Sequence, residues 1–237
     1  MKNLLTWIAL FETFTPHTEQ LTAQKMRTKT LLLTAALSAA GVATSMAQVF
    51  SVNAVGYVTK QLDAGKFYLI SNPLIASDNS INKLFTGVPA GTQIFKFGAT
   101  GFVTATFDDL DNAFVPAAAG AATVNPGEGV FIKAPKAATV TFVGEVPTGS
   151  LENKIAKGLS IISSQVPQGG TAKELGLTGA AGDQIFQWDV AGQTYKSFNF
   201  DDLDNDWVPK LTPLGVGEAF FYSSKNGGSW KRTFSVN

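Results

Sequence analysis

Asp202-Leu203-Asp204-Asn205-Asp206 sets carboxylates at alternate positions along a short polar run. A hard cation such as calcium takes about six to eight oxygen ligands, and a tight turn can bring alternate side chains round it. Asp202, Asp204 and Asp206 are therefore candidate calcium ligands. Two features depart from an EF-hand loop: Trp207 stands where the turning glycine would be, and the distal bidentate glutamate is missing. A near copy of the run has Asp109 and Asp111 but Ala113 at the third place. Asp and Asn also bond their own backbone in tight bends, and that structural use is the leading reading of both runs.

Two other chemistries have candidate residues. Asp108 and Asp201 occupy matching places, and a pair of carboxylates about 5 to 10 Å apart in a cleft is what glycoside hydrolysis needs. Trp188, Tyr195, Trp207 and Trp230 offer flat rings that can stack on sugars, although Trp in β-rich proteins is by default core. Trp207 is the foremost platform candidate, because it ends a polar turn and does not lie in an apolar run. Gly127-Glu128-Gly129 and Gly215-Val216-Gly217 lack the helix and lysine of a phosphate loop, so they read as turns. No catalytic residue is assigned.

The chain has no cysteine and one histidine, His17. A site without either cannot be a zinc centre of the usual nitrogen and sulfur type, nor a Ser-His-Asp or Cys-His nucleophile. It also loses the side chain that most readily moves protons near neutral pH. Carboxylate or lysine chemistry remains, and the sequence reads as a non-enzyme with no cofactor beyond the calcium candidate.

The N-terminus carries a targeting pattern. Met26-Arg27-Thr28-Lys29 is a short basic region, Leu31 to Thr44 an apolar run, and Ser45-Met46-Ala47 a small-residue cleavage site before Gln48. The run is short for a membrane span, so the expectation is an exported protein with no span after cleavage. Met26 opens a complete signal peptide, which makes residues 1–25 read as an extension from an upstream start codon. Removing residues 1–47 takes four of the 18 bases, two of the 18 acids and His17, leaving 14 against 16 and a net charge of −2. Nucleic acid is not an expected partner of such a chain.

The mature chain is a duplication. Phe107-Asp108-Asp109-Leu110-Asp111-Asn112-Ala113-Phe114-Val115-Pro116 matches Phe200-Asp201-Asp202-Leu203-Asp204-Asn205-Asp206-Trp207-Val208-Pro209 at eight of ten positions. Leu69-Ile70-Ser71 faces Ile161-Ile162-Ser163, Gln93-Ile94-Phe95 faces Gln184-Ile185-Phe186, Gly127-Glu128-Gly129 faces Gly215-Val216-Gly217, and Thr141-Phe142 faces Thr233-Phe234. Matches in one order at an offset near ninety residues mark a repeated module. Aromatic and β-branched runs bounded by Gly, Pro, Asn and Asp predict strands over 67–72, 92–97, 102–107, 129–133 and 139–143, then 159–163, 184–189, 195–200, 219–222 and 230–236. Short helical turns are predicted at Ser80 to Phe85 and at Thr171 to Leu175, the latter with a capping-box Glu174. The expected organisation is a lead-in strand over 48–63 without a second copy, module 1 over 64–146, a linker over 147–154 and module 2 over 155–237. The fold class is mainly β, with two homologous sandwich-like or barrel-like modules of about 90 residues, each with one short helix.

Tyr68-Leu69-Ile70-Ser71-Asn72-Pro73-Leu74, followed by Asn125-Pro126-Gly127-Glu128-Gly129-Val130-Phe131-Ile132, resembles a repeat of exported bacterial proteins. Those modules open with a W-N-L-I-S-x-P-L strand and close with P-G-x-G-Y-W-I, and occur in surface and secreted proteins of the planctomycete–verrucomicrobial group. The second copy departs from it at Ser163-Ser164-Gln165-Val166-Pro167 and is shifted by a residue at Gly217-Glu218-Ala219-Phe220-Phe221. The resemblance implies an exported surface or accessory module and supplies no active site. Many such proteins carry a C-terminal sorting tail, which is not expected after Phe234-Ser235-Val236-Asn237.

Three readings stand. The first is a structural or adhesive protein of the envelope or extracellular space, partnered by itself, the envelope or a polysaccharide. The second is a carbohydrate-binding module, and the third a carboxylate-only glycoside hydrolase. The first leads, since the others need an exposed row of rings or a close pair of acids.

Overall fold

The computed structural model describes residues 54–236. The extension 1–25, the signal segment 26–47 and the start of the lead-in, 48–53, lie outside the described residues, so the export reading rests on sequence alone.

Module 1 runs β1 (Val55–Leu62), β2 (Phe67–Ile70), α1 (Ile81–Leu84), β3 (Gln93–Gly98), β4 (Gly101–Asp108), β5 (Ala113–Val115), α2 (Ala117–Gly120), β6 (Val130–Lys133) and β7 (Ala138–Glu145). Module 2 runs β8 (Gly149–Ile155), β9 (Gly158–Ser163), β10 (Gln184–Asp189), β11 (Thr194–Asp201), β12 (Asp206–Val208), β13 (Ala219–Ser224) and β14 (Gly228–Phe234). Each builds a five-stranded sheet, β2-β6-β3-β4-β5 and β9-β13-β10-β11-β12, and a two-stranded ribbon, β1-β7 and β8-β14. All pairings between these strands are antiparallel. The two modules share one strand order, so the fold is mainly β with two sandwich-like modules.

Strand alternation explains why each sheet is covered on both faces. In β2, Tyr68 and Ile70 point into the module's own core while Phe67 and Leu69 point the other way. β6 does the same with Val130 and Ile132 against Phe131, and β13 with Phe220 and Tyr222 against Ala219 and Phe221. The ribbons close the outer faces: Val140 and Phe142 of β7 join the first core, Ile155 of β8 and Trp230 of β14 the second. The inner faces meet in a third cluster built by both modules.

Three sequence expectations change. Residues 149–154 of the expected linker belong to β8, which pairs with β14 as β1 pairs with β7. The lead-in strand therefore has a copy, hidden because little survives beyond inward Leu151 and Ile155 facing the places of Val58 and Leu62. The turn glycines also pair differently: Gly127 (φ 98) corresponds to Gly217 (φ 66), not Gly215, since each precedes a Glu that folds back on the residue three before it. Finally, Thr171 and Glu174 do form the reciprocal capping bonds, at 2.8 Å and 3.3 Å, but the chain leaves through Gly176 (φ 66) after one turn without an α-helix. Both α-helices of the described residues, α1 and α2, lie in module 1. α2 passes so close to β5 that a Cβ on Gly120 would lie 2.6 Å from the Phe114 carbonyl oxygen.

Candidate functional site

The acidic hairpins are built alike. Asp108 Oδ1 accepts the Leu110 N–H at 2.9 Å, and Asp201 Oδ1 accepts the Leu203 N–H at 2.9 Å. Asn112 (φ 49) and Asn205 (φ 50) take the left-handed corner that Asn tolerates, and the following Val-Pro bonds are both cis. The acids are thus occupied in shaping the turn. Among the described residues no three His, Cys, Asp or Glu side chains group closely enough to hold a metal, so Asp202, Asp204 and Asp206 do not converge. Asp206 instead accepts the Trp207 N–H at 2.8 Å. What the turns present is Leu110 and Leu203, each 92% exposed.

The aromatic residue after each turn goes inward. Trp207, the foremost platform candidate, is 2% exposed and packs on Phe200 at 5.2 Å and Tyr222 at 5.8 Å. Its counterpart Phe114 plugs the first core, against Phe107 at 5.3 Å. Sequence reasoning took the polar turn as a sign of exposure; alternation along β12 turns Asp206 and Val208 outward and the middle residue, Trp207, into the core. Trp230 is also buried, its indole N–H bonded to the Leu175 carbonyl at 2.9 Å.

Trp188 and Tyr195 belong to the interface between modules. Three rings of module 1, Phe97, Phe102 and Phe131, meet Trp188, Tyr195 and Phe221 of module 2. Within this set Phe97–Phe102 (5.1 Å) mirrors Trp188–Tyr195 (4.8 Å). Across it, Phe97–Phe221 (5.4 Å) mirrors Trp188–Phe131 (5.2 Å). The backbone is reciprocal too: Ser71 N–H donates to Gly217 O at 3.0 Å and Ser163 N–H to Gly127 O at 2.9 Å. These pairs describe a pseudo-twofold axis, the isologous contact of a dimer joined in one chain. Beside the axis a Cβ on Gly129 would sit 2.3 Å from the Cβ of Ala219, its own counterpart. Only glycine lets the modules approach so closely.

The symmetry breaks at the ends of the interface. On one side the loop from Val190 to Gln193 reaches over β2: Gln193 accepts the Phe67 N–H at 2.9 Å and donates to its carbonyl at 3.1 Å, where the Trp188 indole also donates at 2.9 Å. On the other side the β3–β4 loop is only Ala99-Thr100, and the Phe97 ring, unlike the Trp188 indole, has no N–H to give. A cleft of about 730 Å³ remains there, lined by residues that include Phe97, Ala99, Asn153, Lys154, Lys157 and Leu159.

Charge is placed unequally as well. Glu128 pairs with Lys96 at 3.3 Å, whereas Glu218 accepts from Gln187 at 2.7 Å. Burial pulls the Lys60 ammonium below its ordinary value, and the Glu218 carboxylate opposes that fall. In module 2 buried Asp183 accepts the Tyr222 hydroxyl at 2.7 Å, the Ser224 hydroxyl at 3.2 Å and the Lys225 N–H at 3.1 Å. Burial first, and then the Asp183 carboxylate, push the Tyr222 phenol well above its usual range. Thr92 and Ile132 stand at these two places in module 1.

Sequence reasoning missed Gln193, Phe67 and Gly129 as interface residues. The one available signal was the two-residue difference between the β3–β4 and β10–β11 loops. No family model, no curated protein and no solved structure matches this chain.

Proposed function

We propose that the protein is an exported, non-enzymatic structural or adhesive component that acts by binding or assembly at the cell surface or outside it. The observation that carries this reading is the pair of acidic hairpins, each holding one leucine out in water in the same rigid turn. A single exposed leucine is ordinary. Here the turn, its Asx bond and the exposed residue are all repeated, although burying a leucine is worth about 1.5 to 3 kcal/mol. Two such tips on one body bind a repeated partner with gained effective concentration. Of the rings behind the carbohydrate-module reading, Trp207 and Trp230 face the cores, and Tyr195 stays partly exposed beside Trp188.

Sedimentation of the protein, together with its retention on envelope and polysaccharide material, tests the proposal. Self-association or retention is expected, weakened in Leu110→Ser or Leu203→Ser and lost in the double variant. An unchanged double variant removes the tips from the account. Turnover on a glycoside, ester or peptide panel, abolished by Asp108→Asn or Asp201→Asn, overturns the non-enzymatic reading.

A further inference from the structure

The cleft beside Phe97 is where the pseudo-twofold axis carries the Trp188–Gln193 contact, and the molecule itself shows what fits that place. Phe67 in β2 pairs with Lys133, and Leu159 in β9 pairs with Ser223, the same register on the two sheets. Both β2 and β9 are outermost strands, so at these residues one N–H and one C=O point away from the sheet. On Phe67 these groups receive a carboxamide that donates and accepts at once, with an indole N–H beside it. Among the described residues no side chain bonds the Leu159 main chain. Leu159 is itself exposed, and Phe97 stands in the place of the indole.

We infer that this cleft is a binding site for a ligand that joins an aromatic ring to an amide and a carboxylate. The amide takes the Leu159 N–H and C=O as Gln193 takes those of Phe67. The ring packs beside Phe97 and Leu159, where Trp188 has its counterpart. Lys154 and Lys157 line the same cleft and favour an anionic substituent, since the one carboxylate in the lining, Glu128, is already paired with Lys96 and the Asn125 N–H; the volume of about 730 Å³ lies within the range of small-molecule sites. The site is distinct from the hairpin tips, and binding there does not depend on Leu110 or Leu203.

N-acetyl-L-tryptophan carries all three groups and is the probe. Titrated into ¹⁵N-labelled protein, it is expected to shift the amides of Gly98, Ala99, Leu159 and Ser160 saturably, with a dissociation constant of about 1 mM or tighter. Ala99→Trp and Ala156→Phe, at exposed positions on opposite walls, fill the cleft with a ring and should each weaken binding by about tenfold or more. Two walls are used so that one misfolded variant leaves the test intact. No saturable shift at those amides overturns the proposal. So does binding that both filled variants retain, and so do shifts clustered at the Gln193–Phe67 side.

Discussion

The two ends of the module interface began as the same place and now differ by one loop and one ring. Where module 2 meets β2, a four-residue loop carries Gln193 onto the Phe67 main chain and an indole supplies a further donor. Where module 1 meets β9, a two-residue loop stops short and leaves a cleft. Close to the axis both halves remain alike, with Phe131 and Phe221 6.2 Å apart and the two serine bonds reciprocal. A duplicated interface therefore keeps its centre, where every change is felt twice, and diverges at its ends. There one copy can close the joint while the other is released for another role.

Substitutions rank by distance from that centre. Gly129→Val, pressing on Ala219 and Ile161, is expected to cost about 3 kcal/mol or more and to uncouple the modules, read as a split thermal transition. Gln193→Ala strips both polar contacts from Phe67 at the locked end and should cost about 1 to 3 kcal/mol by chemical denaturation. Thr100→Ala at the open end, where no such bond exists, should fall within about 0.5 kcal/mol of the parent. Equal losses for these two would erase the asymmetry.

The cores differ in the same spirit. Tyr222→Phe leaves buried Asp183 with one donor fewer and should cost about 1 to 3 kcal/mol at neutral pH. The Tyr222 phenol has a folded pKa raised above its unfolded value near 10.0, so its contribution is complete below about pH 10 and is lost as pH rises above it. Denaturation series from pH 8 to 11 should therefore show an alkaline decline that Tyr222→Phe flattens; a parallel decline in both proteins removes Tyr222 as its source. The smallest effect on stability is expected from Leu110→Ser with Leu203→Ser, within about 0.5 kcal/mol.

Much of this fold is legible in the residues. The repeated Phe-Asp-Asp-Leu-Asp-Asn runs locate equivalent hairpins, and the aromatic and β-branched stretches locate the long strands. β8 escaped because a ribbon strand that buries only alternate residues tolerates Ser150, Glu152 and Lys154 on its outer face. Trp207 misled because burial is set by the strand's face and not by the polarity of its neighbours. The interface was beyond local reading: Phe131 and Phe221 look like ordinary core positions until the partner sheet is known. Gly129 likewise reads as a turn glycine, whereas its role is to admit Ala219.

The two modules form one body about a shared aromatic interface, and scanning calorimetry reads whether they unfold together. The parent protein should unfold in one transition, with calorimetric and van't Hoff enthalpies equal. Gly129→Val should resolve two. Two separate transitions in the parent, or a Gly129→Val trace indistinguishable from it, would mean that the modules are not joined into one body through this interface.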